Sequence, residues 1–319
     1  MITMDNYDVI IAGAGPAGLT AALYCGRSQL RTLIIDKGEP GGQVNLTEEV
    51  ENYPGLQKAA ARTFIESLVA QVKELPSVAS NDFQEFAAVK KDKQDCFAVT
   101  LKSTIDETMK TCTAQSLIIA TGAHPKELGF EGEKELRGRG VSYCGVCDGP
   151  FFRDKAIAVI GGGDTALKEA FYLSKFASKV FVVHRRDQLR ATKILQERAK
   201  NNPKIELVLQ SIPLAVVGKQ RVEGLRIKNV ITQGESQLQC SGVFVFVGYS
   251  PDTAAVKDFL KLDEDGFIIT DETMKTTQEG VFACGDCRRR PFKQIVTACG
   301  EGAIAAHQAE EYITEKQKG

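Results

Sequence analysis

Short apolar strands alternate along the chain with segments that have the spacing of amphipathic helices. An apolar strand over residues 7–12 leads into GAGPAG, a helical stretch and a second strand, TLIID, which ends at Asp36. The same order recurs over residues 155–190, in KAIAVIGGGDTALKEAFYLSKFASKVFVVHRRDQLR. A strand, a glycine-rich turn, a helix and another strand make one βαβ unit. The pattern therefore predicts an α/β fold with two such units.

The first glycine-rich turn has the G-x-G-x-x-G spacing of a dinucleotide-binding site. Its first glycine permits the tight turn, its second lets a pyrophosphate approach the backbone, and its third lets helix and strand pack closely. Asp36 ends the next strand, where a carboxylate can accept both hydroxyl groups of an adenosine ribose. A purely structural glycine turn is the alternative. The predicted dinucleotide-binding residues are Gly13, Gly15, Pro16, Ala17, Gly18 and Asp36.

The second unit ends in a strand that is followed by basic residues instead of an acidic one. Arginine side chains at this place suit the 2′-phosphate of NADP(H) better than a free ribose diol. The pattern therefore predicts NADPH as the nucleotide of this unit, and a solvated run of charges is the alternative. The predicted binding residues are Gly161, Gly163, Asp164, Thr165, Ala166, His184, Arg185, Arg186 and Arg190.

The two units continue alike, which predicts a repeat of whole domains. Each is followed by a strand-rich segment and then by an apolar strand that closes with glycine and proline. We expect two Rossmann-like dinucleotide-binding domains, the second inserted into the first. The predicted boundaries are residues 1–121 and 249–319 for the first domain and residues 122–248 for the second, with crossover segments at 121–125 and 247–251.

Composition and charge argue against several classes of function. The 319 residues are 43% hydrophobic and 25% charged, with a formal net charge of −1, so no overall field attracts nucleic acid or an anionic membrane. No apolar run approaches the ~20 residues of a membrane span. The N-terminal residues lack the basic region and the apolar core of a signal peptide. We therefore expect a cytoplasmic protein that binds neither nucleic acid nor membranes.

Two of the nine cysteines stand in SYCGVCDGPFF, at positions 144 and 147. Such a pair can hold zinc, ligate an iron–sulfur cluster, form a structural disulfide or work as a redox dithiol. Structural disulfides are rare in the cytoplasm. Cys284 and Cys287 form a second C-x-x-C, but the two pairs lie too far apart along the chain for a zinc ribbon, whose spacer is about 15–20 residues. We therefore expect no metal.

Short motifs along nearly the whole chain resemble those of the low-molecular-weight, bacterial-type thioredoxin reductases. They are the first glycine motif, GGQ (41–43), ENYPG (51–55), ATG (120–122), CGVCDG (144–149), GGGDTA (161–166), HRRDQLR (184–190) and GD with KQI (285–295). Their order makes the resemblance specific, since a flavin motif and an inserted nucleotide motif have a C-x-x-C-D between them.

The resemblance implies an enzyme with one FAD per subunit, bound by the first domain. It implies that NADPH is bound by the second domain and reduces the FAD. The FAD then reduces a Cys144–Cys147 disulfide, and the resulting dithiol reduces thioredoxin or a thioredoxin-like protein. A homodimer is also implied, as is a rotation of the domains about the crossover segments. The implied FAD contacts are Gly42, Gln43, Asn52, Ala120, Thr121, Gly122, Gly285, Asp286, Lys293, Gln294 and Ile295.

The resemblance also implies roles for the residues around the cysteine pair. It places Cys147 against the flavin and leaves Cys144 to attack the protein substrate. Asp148, next to Cys147, is the candidate to protonate the leaving thiolate, with a helix cap as its alternative role. Phe151 and Phe152 follow, and we expect them either to form a docking rim for the partner or to belong to the core.

Several positions depart from the usual sequence of that family. Gly145 and Val146 stand where alanine and threonine are usual, which leaves the redox potential and the partner preference open. Cysteines 284, 287 and 299 replace small or aliphatic residues near the expected flavin site. We expect Cys284 and Cys287 to pack as small hydrophobic residues, although their spacing also fits a second redox relay.

Two further expectations concern the basic residues that follow. Lys293 stands where arginine is frequent, which is a mild change because both side chains are cationic. Residues 288–290 are three consecutive arginines, which we expect to form a solvated turn.

Related enzymes with another electron donor or acceptor remain alternatives on the sequence alone. A ferredoxin- or deazaflavin-dependent reductase uses another donor, and the basic HRRDQLR segment argues against it. A peroxiredoxin reductase or an oxygen-using dithiol oxidase uses another acceptor. A flavin-binding redox sensor, which is not an enzyme, does not need a second nucleotide domain.

Overall fold

The chain divides into two compact units. Its structure, a computed structural model, describes residues 5–47, 49–57, 59–92 and 95–318. One unit consists of residues 1–124 and 250–319, and the other of residues 125–249. Each contains a largely parallel sheet together with helices, which confirms the predicted α/β class. No helix in the described ranges is long and apolar enough to span a membrane.

The first stretch of chain carries most strands of the first unit. In chain order its elements are β1 Asp5–Ala12, α1 Pro16–Arg27, β2 Thr32–Ile35, a 3-10 helix Gly42–Leu46, β3 Glu49–Val50, β4 Ala59–Ala60, α2 Ala61–Lys73, β5 Val78–Asn81, β6 Gln84–Lys91, β7 Phe97–Ser103, β8 Met109–Ile119 and β9 Ala123–Pro125.

The second unit and the return of the chain follow. The elements of the second unit are β10 Val141–Ser142, α3 Gly145–Asp148, a 3-10 helix Gly149–Phe152, β11 Ala156–Ile160, α4 Asp164–Leu173, β12 Lys179–Val183, α5 Lys193–Lys200, β13 Ile205–Val208, β14 Ser211–Val217, β15 Gly224–Asn229, β16 Glu235–Leu238 and β17 Gly242–Val245. After them come β18 Tyr249–Pro251, 3-10 helices Ala254–Val256 and Gly285–Cys287, β19 Val281–Ala283 and α6 Ile295–Lys318.

The first unit is built on a seven-stranded sheet in the order β5-β2-β1-β8-β7-β6, with β19 pairing with β8. The strands β5, β2, β1, β8 and β19 are parallel, and β7 and β6 continue the sheet antiparallel. Alternate residues of β1 point into different cores: Val9 and Ile11 pack with α1 and α6, whereas Ile10 packs with Phe97. Because both faces are covered, residues 9–12 of β1 are all apolar rather than alternating.

The second unit has a five-stranded parallel sheet in the order β10-β17-β11-β12-β13 and a three-stranded antiparallel sheet, β14-β15-β16. Val159 and Phe244 lie in one core and Ala158 and Val243 in another. This alternation again follows from burial of both faces of the parallel sheet.

Close backbone contacts in the first glycine-rich turn depend on the lack of side chains. Gly13 has φ of +107°, and a Cβ atom there would lie 2.2 Å from the Ala120 carbonyl oxygen. A Cβ atom at Gly18 would lie 1.8 Å from the Gly13 carbonyl oxygen. Helix α1 can therefore begin against the turn only because position 18 has no side chain. At Gly15, in contrast, no described heavy atom lies within 4 Å of such a Cβ.

The second glycine-rich turn repeats this arrangement at its first two glycines, and has Ala166 at the third position. Gly161 has φ of +151°, and its Cβ atom would lie 2.6 Å from the Phe246 carbonyl oxygen. The space at Gly163 is open, as it is at Gly15. In both units the first glycine is required by packing, and the second leaves room above the turn.

Substitution of Gly18 by alanine should destabilise the fold itself. The added methyl group overlaps the Gly13 carbonyl oxygen, so the turn must shift, which costs about 1–3 kcal/mol. Urea unfolding of the ligand-free protein measures this change. Gly15→Ala is the matched control, because its site is open and its φ of −71° suits any residue. Equal stability of the two variants would contradict this account of the turn.

Candidate active site

Cys144 and Cys147 are joined by a disulfide at the start of α3, with their Cα atoms 5.3 Å apart. Cys144 is the N-cap residue, and its sulfur accepts a hydrogen bond of 3.1 Å from the Cys147 amide. The Ser142 hydroxyl holds the backbone of Cys144 on both sides, because it accepts from the Cys144 amide and donates to the Cys144 carbonyl oxygen. An amide aimed at the Cys144 sulfur stabilises a thiolate there after reduction.

Asp148 lies at the end of α3, next to the exposed Cys147. Burial raises the pKa of its carboxyl group, and a hydrogen bond with the Ser142 side chain opposes the rise. Asp148 precedes the 3-10 helix Gly149–Phe152 but makes no capping hydrogen bond to it. The arrangement therefore disfavours the helix-cap role and suits a group that holds a proton beside a sulfur.

A buried carboxylate, which no sequence motif indicated, fixes the strand that enters the cysteine pair. Glu133 accepts hydrogen bonds from the amides of Leu128 and Gly129 and, at 2.8 Å, from the Tyr143 hydroxyl. Burial and this bond to Glu133 raise the pKa of Tyr143. The Tyr249 hydroxyl donates to the Tyr143 carbonyl oxygen. Tyr143 is thus held from both its side chain and its backbone, directly before Cys144.

The two phenylalanines after the pair have different environments. Phe152 is buried and its ring lies 5.1 Å from that of Phe244 in a T-shaped contact. Phe151 is 45% exposed. Phe152 therefore belongs to the core, and the interpretation as a docking rim is wrong for it. That interpretation stays a prediction for Phe151.

In the first unit, Asp36 organises the glycine-rich turn to which it was assigned. Its two carboxylate oxygens accept from the amides of Ala14, at 2.6 Å, and Gly38, at 3.0 Å. Burial raises the pKa of Asp36, and these amides oppose the rise. Asp36 also lines a cavity of about 350 Å³, together with Gly13, Phe86 and Thr121. Each carboxylate oxygen retains a lone pair that can accept from a ribose hydroxyl.

Other residues assigned to FAD lie together in the same unit. The Gly41 amide donates to the Ala14 carbonyl oxygen, and a Cβ atom at Gly42 would lie 3.4 Å from the Cα atom of Gly15. The loop with Gly42 and Gln43 thus adjoins the open side of the glycine-rich turn. The Asn52 side-chain amide donates to the Gln294 side-chain oxygen at 2.9 Å.

Two features of this region fit a bound dinucleotide. The space at Gly15 is open, although the glycines on either side are in tight contact. The Thr121 hydroxyl is buried and has no nitrogen or oxygen partner in the described part of the chain. Within that part, the Thr121 side chain is hydrogen-bonded only to the Cys287 thiol. A thiol is a weak hydrogen-bond partner, so an oxygen or nitrogen atom of a ligand would satisfy this hydroxyl better.

A network of buried charges holds the Gly285–Asp286 loop. Glu301 accepts from the Gly285 amide at 2.8 Å and pairs with Arg288 at 2.6 Å. The Arg290 side chain, which is 2% exposed, lies 3.3 Å from both Asp286 and Glu301. The expected solvated turn is therefore wrong for Arg288 and Arg290, because both fold inward onto carboxylates.

Asp286 and Lys293 are close and affect each other. Burial raises the pKa of Asp286, and the charges of Lys293 and Arg290 oppose the rise. The Lys293 ammonium group donates to the Asp286 carbonyl oxygen at 2.8 Å and lies 4.2 Å from the centre of the Phe267 ring. Burial lowers the pKa of Lys293, and Asp286 opposes that change.

In the second unit, the basic segment folds back onto the second glycine-rich turn. The Arg190 amide donates to the Gly162 carbonyl oxygen at 2.7 Å, and Asp164 accepts from the Thr192 amide at 2.8 Å. The side chains of Arg185, Arg186 and Arg190 are exposed. A cationic face is thereby placed beside the open space at Gly163.

His184 differs from the arginines that follow it. It is 6% exposed, and its ring packs against Gly162, where a Cβ atom would lie 2.3 Å from Nδ1. Burial lowers the pKa of His184, and the charges of the neighbouring arginines lower it further. His184 is therefore neutral at pH 7, and the positive charge of this segment comes from the arginines alone.

Cys284 and Cys287 are fully buried free thiols in this structure. The Cys287 sulfur lies 3.4 Å from the Ile119 carbonyl oxygen and 3.3 Å from that of Cys284. Burial raises the pKa of Cys284 and raises that of Cys287 to about 11. Cys299 is also buried, with its sulfur 3.7 Å from the Pro16 carbonyl oxygen. Thiols in such surroundings are poor nucleophiles. Over the described ranges no group of three or more His, Cys, Asp or Glu residues could hold a metal ion.

Known proteins match the chain over almost its full length. The family model described as pyridine nucleotide-disulphide oxidoreductase matches residues 7–302. A thioredoxin reductase of Listeria monocytogenes is 43% identical over 311 residues, which cover 97% of this chain and 94% of that protein. The chain belongs to the low-molecular-weight thioredoxin reductase family. A thioredoxin reductase of Bacillus subtilis is 42% identical over 314 residues, with 98% and 96% covered.

A solved structure confirms that this chain has the fold of the thioredoxin reductase family. The crystal structure of thioredoxin reductase from Streptococcus pyogenes matches with a TM-score of 0.91 at 42% identity, covering 98% of this chain and 100% of that one. Membership of the family confirms the enzyme class and implies a flavin and a nicotinamide nucleotide. The Cys144–Cys147 disulfide fits the redox centre of such an enzyme.

Replacement of both Cys284 and Cys287 by alanine should leave thioredoxin reductase activity largely intact. The thiols are buried and protonated, so their loss should lower the free energy of unfolding by only about 1–2 kcal/mol in total. Steady-state reduction of a thioredoxin disulfide and urea unfolding measure the two effects. A double variant that retains its flavin but no longer reduces thioredoxin would show that the pair is a redox relay.

Proposed function

We propose that the protein is an NADPH-dependent thioredoxin-disulfide reductase with FAD as its flavin. In this proposal residues 1–121 and 249–319 bind FAD, and residues 122–248 bind NADPH and carry the redox-active pair. The observation that carries it is the Cys144–Cys147 disulfide beside Asp148, whose pKa burial raises. A disulfide with its own proton source is what a dithiol reductase needs.

FAD is supported by the contacts within the first unit. Asp36 borders the cavity and keeps lone pairs for the ribose, and the open space at Gly15 suits a pyrophosphate. Asp286, held by Arg290, suits a ribityl hydroxyl. The Asn52–Gln294 pair and Lys293 offer hydrogen-bond donors and acceptors for the ring. Once bound, the flavin supplies two electrons to the disulfide.

NADPH rather than NADH is supported by the charges at the second turn. Arg185, Arg186 and Arg190 are exposed there, and no carboxylate stands at the position that Asp36 occupies in the first unit. Arginine binds a phosphate through paired hydrogen bonds. The buried and neutral His184 supports the turn through Gly162 instead of contributing charge.

The chain's own groups supply the remaining chemistry at the dithiol. The Cys147 amide stabilises negative charge on the Cys144 sulfur, so Cys144 is the nucleophile toward a protein disulfide. Asp148 adjoins Cys147 and holds the proton that this sulfur receives on reduction. Thioredoxin is the proposed partner because the relatives are thioredoxin reductases. The homodimer and the cytoplasmic location stay predictions.

Serine variants of the two cysteines test the function. Cys144→Ser and Cys147→Ser should each abolish reduction of thioredoxin, because a lone thiol cannot complete the exchange. Each should still show NADPH-dependent bleaching of the flavin, since hydride transfer from NADPH does not involve the cysteines.

The Cys147→Ser variant should in addition trap thioredoxin as a mixed disulfide through Cys144. Trapping by Cys144→Ser instead would reverse the roles of the two cysteines. Undiminished reduction of thioredoxin by either variant would exclude the proposed function. Parallel assays with a peroxiredoxin and with oxygen decide between the possible acceptors.

Nucleotide preference is tested by the double substitution of Arg185→Ala and Arg186→Ala. Each lost charge-assisted bond to the 2′-phosphate is worth about 1.5–3 kcal/mol. The kcat/KM for NADPH should therefore fall by at least about a hundredfold, while that for NADH should hardly change. Lys219→Ala with Arg221→Ala, exposed in the β14–β15 turn of the same unit, is the matched control. A wild-type enzyme that uses NADH as well as NADPH would refute the preference.

A further inference from the structure

Gly145, between the two cysteines, is in contact with a carboxylate from another helix. A Cβ atom at position 145 would lie 2.1 Å from Oε2 of Glu169 on α4 and 3.3 Å from its carboxyl carbon. Glu169 can therefore occupy this place only because the residue after Cys144 has no side chain. A Cβ atom at position 145 would also lie 3.6 Å from Cγ of Leu173.

The Glu169 carboxyl group lies in a poorly solvated position. Its Oε2 atom is buried and has no hydrogen-bond partner of ordinary geometry in the described ranges. Burial raises the pKa of Glu169, and the nearby backbone amide of Gly145 opposes the rise. An orphaned buried oxygen costs free energy, and the mechanism proposed above makes no use of it.

We propose that Glu169 is a positioning residue of the dithiol, whose carboxylate lies against Gly145 and disfavours the thiolate of Cys144, so that the pair is kept strongly reducing. This inference rests on the proposed function and names a residue that adjusts it. Burial favours the neutral form of Glu169, but the Gly145 amide favours the ionised form. When it is ionised, a carboxylate near a thiol raises the pKa of that thiol because two negative charges repel.

The effect on redox chemistry follows from which forms carry charge. Reduction adds two electrons to the Cys144–Cys147 bond, breaks it, and leaves two sulfurs that each take a proton or remain a thiolate. A group that disfavours the thiolate disfavours the reduced pair and makes it a better reductant. In the exchange with a partner, the Cys144 thiolate forms a bond to one partner sulfur. The other partner sulfur leaves as a thiolate, and Cys147 then displaces the first.

Other charged groups around Glu169 do not account for its raised pKa. The titratable side chains of the elements packed against α4 are Asp148 on α3, Lys179 on β12, and Lys193, Glu197, Arg198 and Lys200 on α5. On α4 itself Glu169 is accompanied by Asp164, Lys168 and Tyr172. The causes of its pKa shift are nonetheless burial and the Gly145 amide. Asp148 is hydrogen-bonded to Ser142.

Two substitutions remove the carboxylate from Gly145 in different ways. Glu169→Gln keeps the shape of the side chain and removes the charge. Gly145→Ala keeps the charge of Glu169 but moves its carboxylate away, because the added methyl group would occupy the position of Oε2. The double variant should add nothing to either single change if both act through the same contact. Glu197→Gln, exposed on α5 of the same unit, is the control for loss of one negative charge.

Reactivity of Cys144 is measured by alkylation with iodoacetamide as a function of pH. The reduced proteins carry Cys147→Ser, and the alkylated Cys144 peptide is quantified by mass spectrometry. In Glu169→Gln and in Gly145→Ala the pKa of Cys144 should fall. For each pKa unit of lowering, the rate of alkylation at pH 7 should rise by up to about tenfold. An unchanged profile, a higher pKa in Glu169→Gln, or additive effects in the double variant would overturn the proposal.

The redox consequence is measured on the intact cysteine pair. In buffers of reduced and oxidised dithiothreitol, half of the Glu169→Gln pairs should be reduced at a several-fold lower ratio of reduced to oxidised dithiothreitol than in the wild type. The Glu197→Gln variant should have the same half-reduction ratio as the wild type. An equal ratio for Glu169→Gln and the wild type would overturn the proposal. Neither measurement needs NADPH or thioredoxin, so failure here is distinct from failure of the proposed function.

Discussion

The contact between the Gly18 position and the Gly13 carbonyl oxygen, where a Cβ atom would lie only 1.8 Å away, is the constraint on which the first unit depends. It brings the start of α1 against the turn, while Gly13 itself is pressed onto Ala120. The chain between them is left open at Gly15 and bordered by Asp36. The second unit repeats the tightly packed first glycine, Gly161, and the open second one, Gly163, but has Ala166 at the third position. The two candidate nucleotide sites therefore share the first part of this rule.

The sequence could predict this much because glycine spacing and apolar runs are local signals. The βαβ order and the α/β class were readable from residues 7–36 and 155–190, and the family from short motifs along nearly the whole chain. Burial of an individual side chain depends on contacts that are distant along the chain. The arginines at 288 and 290 appeared solvated in the sequence, but Glu301 and Asp286 draw them inward. His184 was grouped with its arginine neighbours, yet it faces Gly162.

The surroundings of the cysteine pair were the least predictable part. Glu133 lies ten positions before Tyr143 and shows no motif, but it holds that residue through a buried hydrogen bond. Glu169 belongs to a helix that the sequence assigned to nucleotide binding, and its contact with Gly145 depends on how α4 meets α3. Around a disulfide that the sequence did locate, tertiary packing thus places two carboxyl groups, Glu133 and Glu169, that no motif indicated.

An anaerobic titration with NADPH tests the central claim most directly, namely that the flavin and one cysteine pair are the redox centres. The wild type should take up about two equivalents of NADPH per subunit, one for the flavin and one for the Cys144–Cys147 disulfide, and Cys144→Ser only about one. Equal uptake by the two proteins would contradict the assignment of the pair. Uptake of about three equivalents by the wild type would show a further redox centre and contradict the account of Cys284 and Cys287 as packing residues.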